Sequence, residues 1–199
     1  MLRWQPRPRP DVRVRAATPD DAEAIAAMAR ALSVSDGGRP SRLTAETFRR
    51  DGFGPEPAFQ AVIAEADGTP AGYAVFYPGY DTDSASRGVY LSDLYVSARA
   101  RRAGVGSALM AAVADRCRQA GGRWMFWSVL RRNRSARRFY RTMAPELSDV
   151  RVCAAFGATF DRLADRARSR GGADVQAGEL QDVGLDDVAP GFRNVAHKG

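Results

Sequence analysis

The chain has 199 residues, 45% of them hydrophobic, which suits one domain able to build its own core. With 30 basic and 23 acidic residues it carries a net charge of +7, which favours anionic ligands. Two cysteines and one histidine, His197, exclude a disulfide framework, His-based catalytic triads and most His-ligated zinc sites, so no metal is expected.

No stretch approaches the ~20 apolar residues of a membrane span. The opening MLRWQPRPRP lacks the apolar core of a secretory signal. A cytoplasmic chain without a membrane partner is expected. Residues 1–10 are rich in Arg and Pro and read as an extension, 11–170 as the domain, and 171–199 as a Gly/Asp-rich tail.

Val12 to Arg15 alternates apolar and charged residues and predicts a strand. Thr18, Pro19, Asp20 and Asp21 then read as an N-cap, a first-turn proline and first-turn acids, opening a helix to about Leu32. Ser35 to Pro40 is a loop. Thr44 caps a second short helix that ends at Asp51-Gly52. Phe59 to Ala66 and Pro70 to Tyr77 are predicted strands, joined at Asp67-Gly68 by a hairpin turn. Pro78 to Arg87 reads as a polar loop and Gly88 to Val96 as the next strand. A helix starts at Val105, with Val105, Leu109 and Val113 as its apolar stripe, and Gly121-Gly122 ends it. Arg123 to Leu130 is an aromatic-rich strand. Ser135 to Met143 is a short helix, Val150 to Phe156 a last strand and Phe160 to Ser169 a terminal helix.

The stretch Tyr90 to Leu109 organises the rest. A strand runs into Arg99, Arg101 and Arg102, then Gly104 and Gly106, then a helix. The first amides of a helix lack internal partners and carry partial positive charge, and glycines let a ligand approach the backbone. A phosphate, and more narrowly a pyrophosphate, fits that chemistry. The pattern lacks the third glycine of a dinucleotide fingerprint and the G-K-[ST] of a P-loop.

Three segments together resemble one family. They are the R-x-x-G-x-G turn at Arg101 to Gly106, the preceding YLSDLYV, and Asn133, Ala136, Phe139 and Tyr140 in N-x-x-A-x-x-F-Y spacing. The chain resembles the GCN5-related N-acetyltransferases (GNAT) over about residues 12–165. DGFGPEPAF and L-x-D-L-Y-V make it most similar to the spermidine/spermine and thialysine N-acetyltransferase subgroup. The resemblance implies an α/β (α+β) fold, with a mixed, mostly antiparallel central sheet of about 6–7 strands, flanked by helices and splayed at the cofactor site.

It also implies acetyl-CoA as cofactor. The pyrophosphate would sit on Arg101, Arg102, Ala103, Gly104, Val105, Gly106 and Ser107. The pantetheine arm would follow Leu94, Tyr95 and Val96, with Asn133 and Ala136 on the other side. Tyr140 would be the general acid for the leaving thiolate, and a backbone amide near Val96 would serve the oxyanion. Ser92, Asp93, Trp127 and Ser128 would meet the acceptor, a small-molecule primary amine that is diamine-, polyamine- or amino-acid-like. Attack would be direct, in a ternary complex, and a homodimer is expected. The subgroup has a glutamate where this chain has Ser92, and serine cannot replace a carboxylate as base. Alternation along a strand would turn Asp93 away from Ser92. A water chain at Ser92, Asp81 or Asp83 remain candidate bases. Transfer to a protein amine and acyl-CoA binding without catalysis are the competing readings. No nucleic-acid-binding motif is present.

Overall fold

The alternation at the start becomes strand β1 (Val12–Ala16) in a computed structural model that describes residues 10–169. The extension up to residue 9 and the 171–199 tail, with His197, lie outside the described residues. The described chain forms two compact units, residues 10–34 with 40–128, and 35–39 with 129–169.

In the first unit, Thr18 opens a helical turn as expected. Its amide and hydroxyl both donate to Asp21 Oδ2, at 2.7 and 3.1 Å. A 3-10 turn at Pro19–Asp21 leads into α1 (Ala22–Ser35). Asp21 is buried and also accepts two bonds from Arg15, at 2.7 and 2.8 Å, while Arg15 reaches Glu65 at 2.8 Å. The paired guanidinium holds the Asp21 carboxyl below its usual range. Thr44 and Thr47 exchange side-chain-to-backbone bonds that start α2 (Ala45–Phe53).

Strands β2 (Gln60–Ala66) and β3 (Thr69–Asp81) meet at Asp67-Gly68, both at positive φ as a tight hairpin turn requires. β4 (Ser86–Val96) returns along β3, α3 (Val105–Gln119) follows, and β5 (Gly122–Trp127) lies parallel to β4. The sheet order is β1-β2-β3-β4-β5, antiparallel except for the last pair. α3 covers one face. On the other, α1 and α2 bring Ile25, Met28 and Phe48 onto Ile63 and Tyr73. Gly72 sits where β3 passes under α3. A Cβ there would lie 2.6 Å from the Tyr95 carbonyl oxygen and 3.1 Å from Leu109, so only glycine fits.

In the second unit, α4 (Arg134–Tyr140) and α5 (Ala158–Ser169) are the helices. No helix among the described residues is long and apolar enough to cross a membrane.

Four expectations need correction. The sheet has five strands among the described residues, against the 6–7 anticipated. Val150 to Phe156 is irregular. Its alternation imitates a strand, but Val150 and Val152 are 61% and 54% exposed and bury no face. The supposed 78–87 loop is mostly sheet, because Gly79, Tyr80 and Asp81 pair with Gly88, Arg87 and Ser86. β5 stops at Trp127 and does not continue to Leu130.

The Arg15–Asp21 pair gives a pH-dependent prediction. Asp21's folded pKa is depressed, so its contribution is present above the unfolded value of about 3.9 and is lost as pH falls through the folded value. Asp21→Asn should cost about 2 kcal/mol near neutrality, less than a fully buried pair because Arg15 is half exposed and keeps Glu65. Urea denaturation should show the gap between wild type and variant closing as pH falls below the unfolded carboxylate value of about 3.9.

Candidate active site

β4 is bonded to β3 along its whole length, but its pairing with β5 ends at Leu91 opposite Trp127. Beyond that point Ser92 to Val96 have no strand on the β5 side among the described residues. The register also slips here. Val75 pairs with Asp93 and Phe76 with Leu91, so Ser92 is the extra residue of a bulge.

The bulge redirects the side chains. Leu91 keeps to the α3 side with Phe76. Asp93 and Tyr95 lie on the α1/α2 side, where Tyr95 packs against the core cluster and the Tyr73 hydroxyl donates to Asp93 Oδ2 at 2.8 Å. In an unbroken strand Leu91 and Asp93 would share a face. Burial and the facing carboxylate push the Tyr73 phenol well above its ordinary range. Ser92 and Ser128 are exposed, and Trp127 is half-buried at the end of β5.

After Val96 the Ser97 amide bonds the Ala71 carbonyl at 2.8 Å, pinning the turn to β3. A 3-10 turn at Ala98–Ala100 follows. Arg101 Nε donates to the Val96 carbonyl at 3.2 Å, and Arg99 reaches the Pro70 carbonyl at 3.4 Å. Arg102 at φ 65° and Gly104 at φ 89° then swing the chain into α3. Gly104 caps the helix without a side chain, and no acid lies in the first turn. The amides of Val105, Gly106 and Ser107 are therefore left to a ligand or water. In the turn that leads to them, Ser97 Oγ is buried without a hydrogen-bond partner. An orphaned buried hydroxyl costs free energy unless a ligand or water satisfies it. A bare helix start with exposed Arg101 and Arg102 suits an anionic ligand, as a CoA pyrophosphate is.

The second sequence block lies in the second unit. Asn133 caps α4, its Oδ1 accepting from the Ala136 amide at 3.0 Å. Its Nδ2 donates to Asp36 Oδ1 at 3.4 Å, and Arg132 donates to the Asp36 carbonyl at 2.5 Å. Burial raises the Asp36 carboxyl above its usual range. Tyr140 is the half-buried last residue of α4, with its ring 5.3 Å from that of Phe139. Glu146 is held down to about 2 by Arg137 and Arg141.

Of the candidate bases, Asp81 and Asp83 belong to the turn that closes the β3–β4 hairpin. Asp81 bonds Ser84 there and pairs opposite Ser86. Six residue steps along β4 lead from Ser86 to Ser92, or about 20 Å. Three residues escaped the sequence reading: Tyr73, Ser97 and Asp36. Tyr73 and Asp36 act through partners 20 and 97 residues away, which no local pattern reports.

With this geometry in hand, the sequence can be set against known proteins. Residues 25–144 match the Acetyltransferase (GNAT) family. The chain belongs to that family. It is 34% identical over 110 residues to thialysine N-epsilon-acetyltransferase of Sus scrofa, covering 51% of this chain and 64% of that protein. The Mus musculus protein of the same name is 29% identical over 143 residues, covering 67% and 84%. An L-ornithine N5-acetyltransferase of Arabidopsis thaliana is 32% identical over 84 residues, covering 42% and 37%. The chain thus spans somewhat less than two thirds of the Sus scrofa relative. Among solved structures, an integron cassette protein from the V. cholerae mobile metagenome superposes with TM-score 0.65 at 18% identity, covering 77% of this chain and 97% of its own. A Brucella melitensis ribosomal-protein-alanine N-acetyltransferase gives 0.59 at 21%, covering 73% and 99%. Both likenesses establish the GNAT fold, with its mixed sheet flanked by helices.

Gly104 tests the turn. A Cβ there would meet nothing within 4 Å, so Gly104→Ala should lose only what the positive φ costs, about 1 kcal/mol. A fall in Tm together with an unchanged urea m value would check this.

Proposed function

We propose that the protein is an N-acetyltransferase that moves the acetyl group of acetyl-CoA onto the primary amine of a small, basic, amino-acid-like or diamine molecule. One observation carries the reading: the β4 edge freed after Leu91 leads through the 97–104 turn to a helix start that no side chain caps. Acetyl-CoA supplies an acetyl group activated as a thioester.

Amides from Arg102 to Ser107, with Arg101 and the Ser97 hydroxyl, bind the pyrophosphate. The free edge of Leu94, Tyr95 and Val96 takes the pantetheine amides as a sheet edge takes a peptide. The amide of Val96 faces the developing oxyanion. Tyr140 donates the proton that the leaving sulfur needs, because a phenol remains a donor at neutral pH. Asn133 and Ala136 set the start of α4 that carries Tyr140. Ser92, Trp127 and Ser128 border the acceptor. The acceptor class follows the relatives, whose names specify a lysine-like side-chain amine and the N5 amine of ornithine.

Calorimetric titration should give micromolar acetyl-CoA binding in wild type and Tyr140→Phe alike. Amine-dependent thiol release should fall about 100-fold or more in the variant. Binding without release across S-(2-aminoethyl)-L-cysteine, L-ornithine and 1,5-diaminopentane would make the protein an acyl-CoA binder, and absence of binding would overturn the reading.

A further inference from the structure

Asp93 is a carboxylate let into an apolar wall. Beneath it lies Tyr73, fully buried among Ile25, Met28 and Ala29 of α1, Phe48 of α2 and Ile63 of β2. Packing alone would be served there by phenylalanine. A phenol in such a place has to be hydrogen-bonded to be tolerated, and its bond goes to Asp93 Oδ2 at 2.8 Å. Because the phenol is pushed above its ordinary range it stays protonated and donates to the carboxylate.

The place of Asp93 in the strand gives the pair a use. The bulge at Ser92 brings Asp93 to the α1/α2 side at the start of the stretch that β5 no longer covers. The acceptor reaches this enzyme as an ammonium ion, with a free pKa of about 10.4, and has to be bound and stripped of a proton. Ser92 cannot do this, and Asp81 and Asp83 sit at the far end of the hairpin.

We propose that Asp93 binds the acceptor's ammonium group and takes its proton, and that Tyr73 is the positioning residue that keeps Asp93 ionised and fixed. The inference rests on the acetyltransfer reading above. One proton passes from the ammonium nitrogen to Asp93. The freed lone pair forms the C–N bond to the acetyl carbonyl carbon. The C–S bond breaks, and the sulfur keeps its electron pair and takes the Tyr140 phenol proton. The second nitrogen proton leaves to solvent, Asp93 discharges its own, and Tyr140 regains one, so each turnover releases one proton net.

The titratable groups that share this face of β3 and β4 with Asp93 include Tyr73 and Tyr95 and, beyond the bulge, Tyr77 and Tyr90, whose rings stack. Of the charged groups of α1 and α2, Glu23 pairs with Arg49 and Arg50 with Asp51. On β1 and β2, Arg15 pairs both with Glu65 and with Asp21.

The test compares wild type, Asp93→Asn, Asp93→Glu and Tyr73→Phe. Thiol release is followed against pH with 1,5-diaminopentane, L-ornithine and S-(2-aminoethyl)-L-cysteine. Binding of each amine to CoA-loaded protein is measured by calorimetry. Asp93→Asn should keep acetyl-CoA affinity, bind amine about tenfold more weakly and lose about 100-fold in kcat/KM. Asp93→Glu should recover part of that loss. Tyr73→Phe removes a donor to the charged form, so the acidic limb of kcat/KM should move up by about one pH unit. A merely structural Tyr73 would lower Tm and leave the limb in place. Asp93→Asn within about threefold of wild type, or an unmoved limb in Tyr73→Phe, overturns the proposal and leaves acetyltransfer standing. Amine binding that depends on Asp93, without thiol release from wild type, overturns acetyltransfer and leaves the ammonium site. Failure of wild type to bind any of the three amines overturns the Asp93 proposal whatever the turnover.

Discussion

β4 is held by β3 from Ser86 to Val96 but by β5 only as far as Leu91, and the site depends on that mismatch. A strand interior leaves no backbone group to spare, because ladder bonds use each one on alternate sides. Where β5 departs, one edge of β4 regains its hydrogen-bonding capacity while the other stays anchored. The result is a rigid edge open to a ligand, in place of a flexible loop. The bulge at Ser92 marks the same point and adds twist where the strands part. The Ser97–Ala71 bond carries that rigidity into the turn, so the start of α3 is fixed relative to the open edge.

The arginines divide by what they meet. Arg15, Arg49, Arg50, Arg137 and Arg141 lie against carboxylates and serve the fold. Those of the turn are treated differently. Arg99 and Arg101 reach backbone carbonyls, Arg102 is exposed at a positive φ, and no acid occupies the first turn of α3. Elsewhere the chain does place acids in first turns, with Asp20 and Asp21 before α1 and Glu46 in α2. Leaving α3 without one sacrifices a favourable dipole interaction and keeps the positive end available.

The fold was legible where the signal is local. Thr18 with Asp21, Thr44 with Thr47, Asp67-Gly68 and Gly104 each act within a few residues, and each does what its chemistry predicts. The 78–87 stretch misled because Pro78, Gly79 and a run of polar residues look like a loop. Pairing with β4 and the stacking of Tyr77 on Tyr90, 5.6 Å between ring centroids, make it sheet. The 150–156 stretch misled in the other direction, since alternation without a face to bury gives no strand. The bulge at Ser92 was not legible at all. Strict alternation put Asp93 and Leu91 on one face, and a single unpaired residue placed them on opposite faces.

That single residue also changes what the serine at 92 means. If the strand were regular, loss of a carboxylate at 92 would leave the open edge without an acid, and the neighbouring aspartate would point elsewhere. With the bulge, position 92 is the exposed extra residue and 93 is the one directed at the core side, where a buried phenol meets it. A phenol–carboxylate pair is a poor way to stabilise an apolar face, because both groups give up water to make one bond. Its retention under the open end of β4, where the hydrophobic neighbours would pack a phenylalanine equally well, is the mark of a site in which stability yields to chemistry. Under the Asp93 proposal, the acid that an ammonium substrate requires would come from one residue along the chain, through a change in strand register.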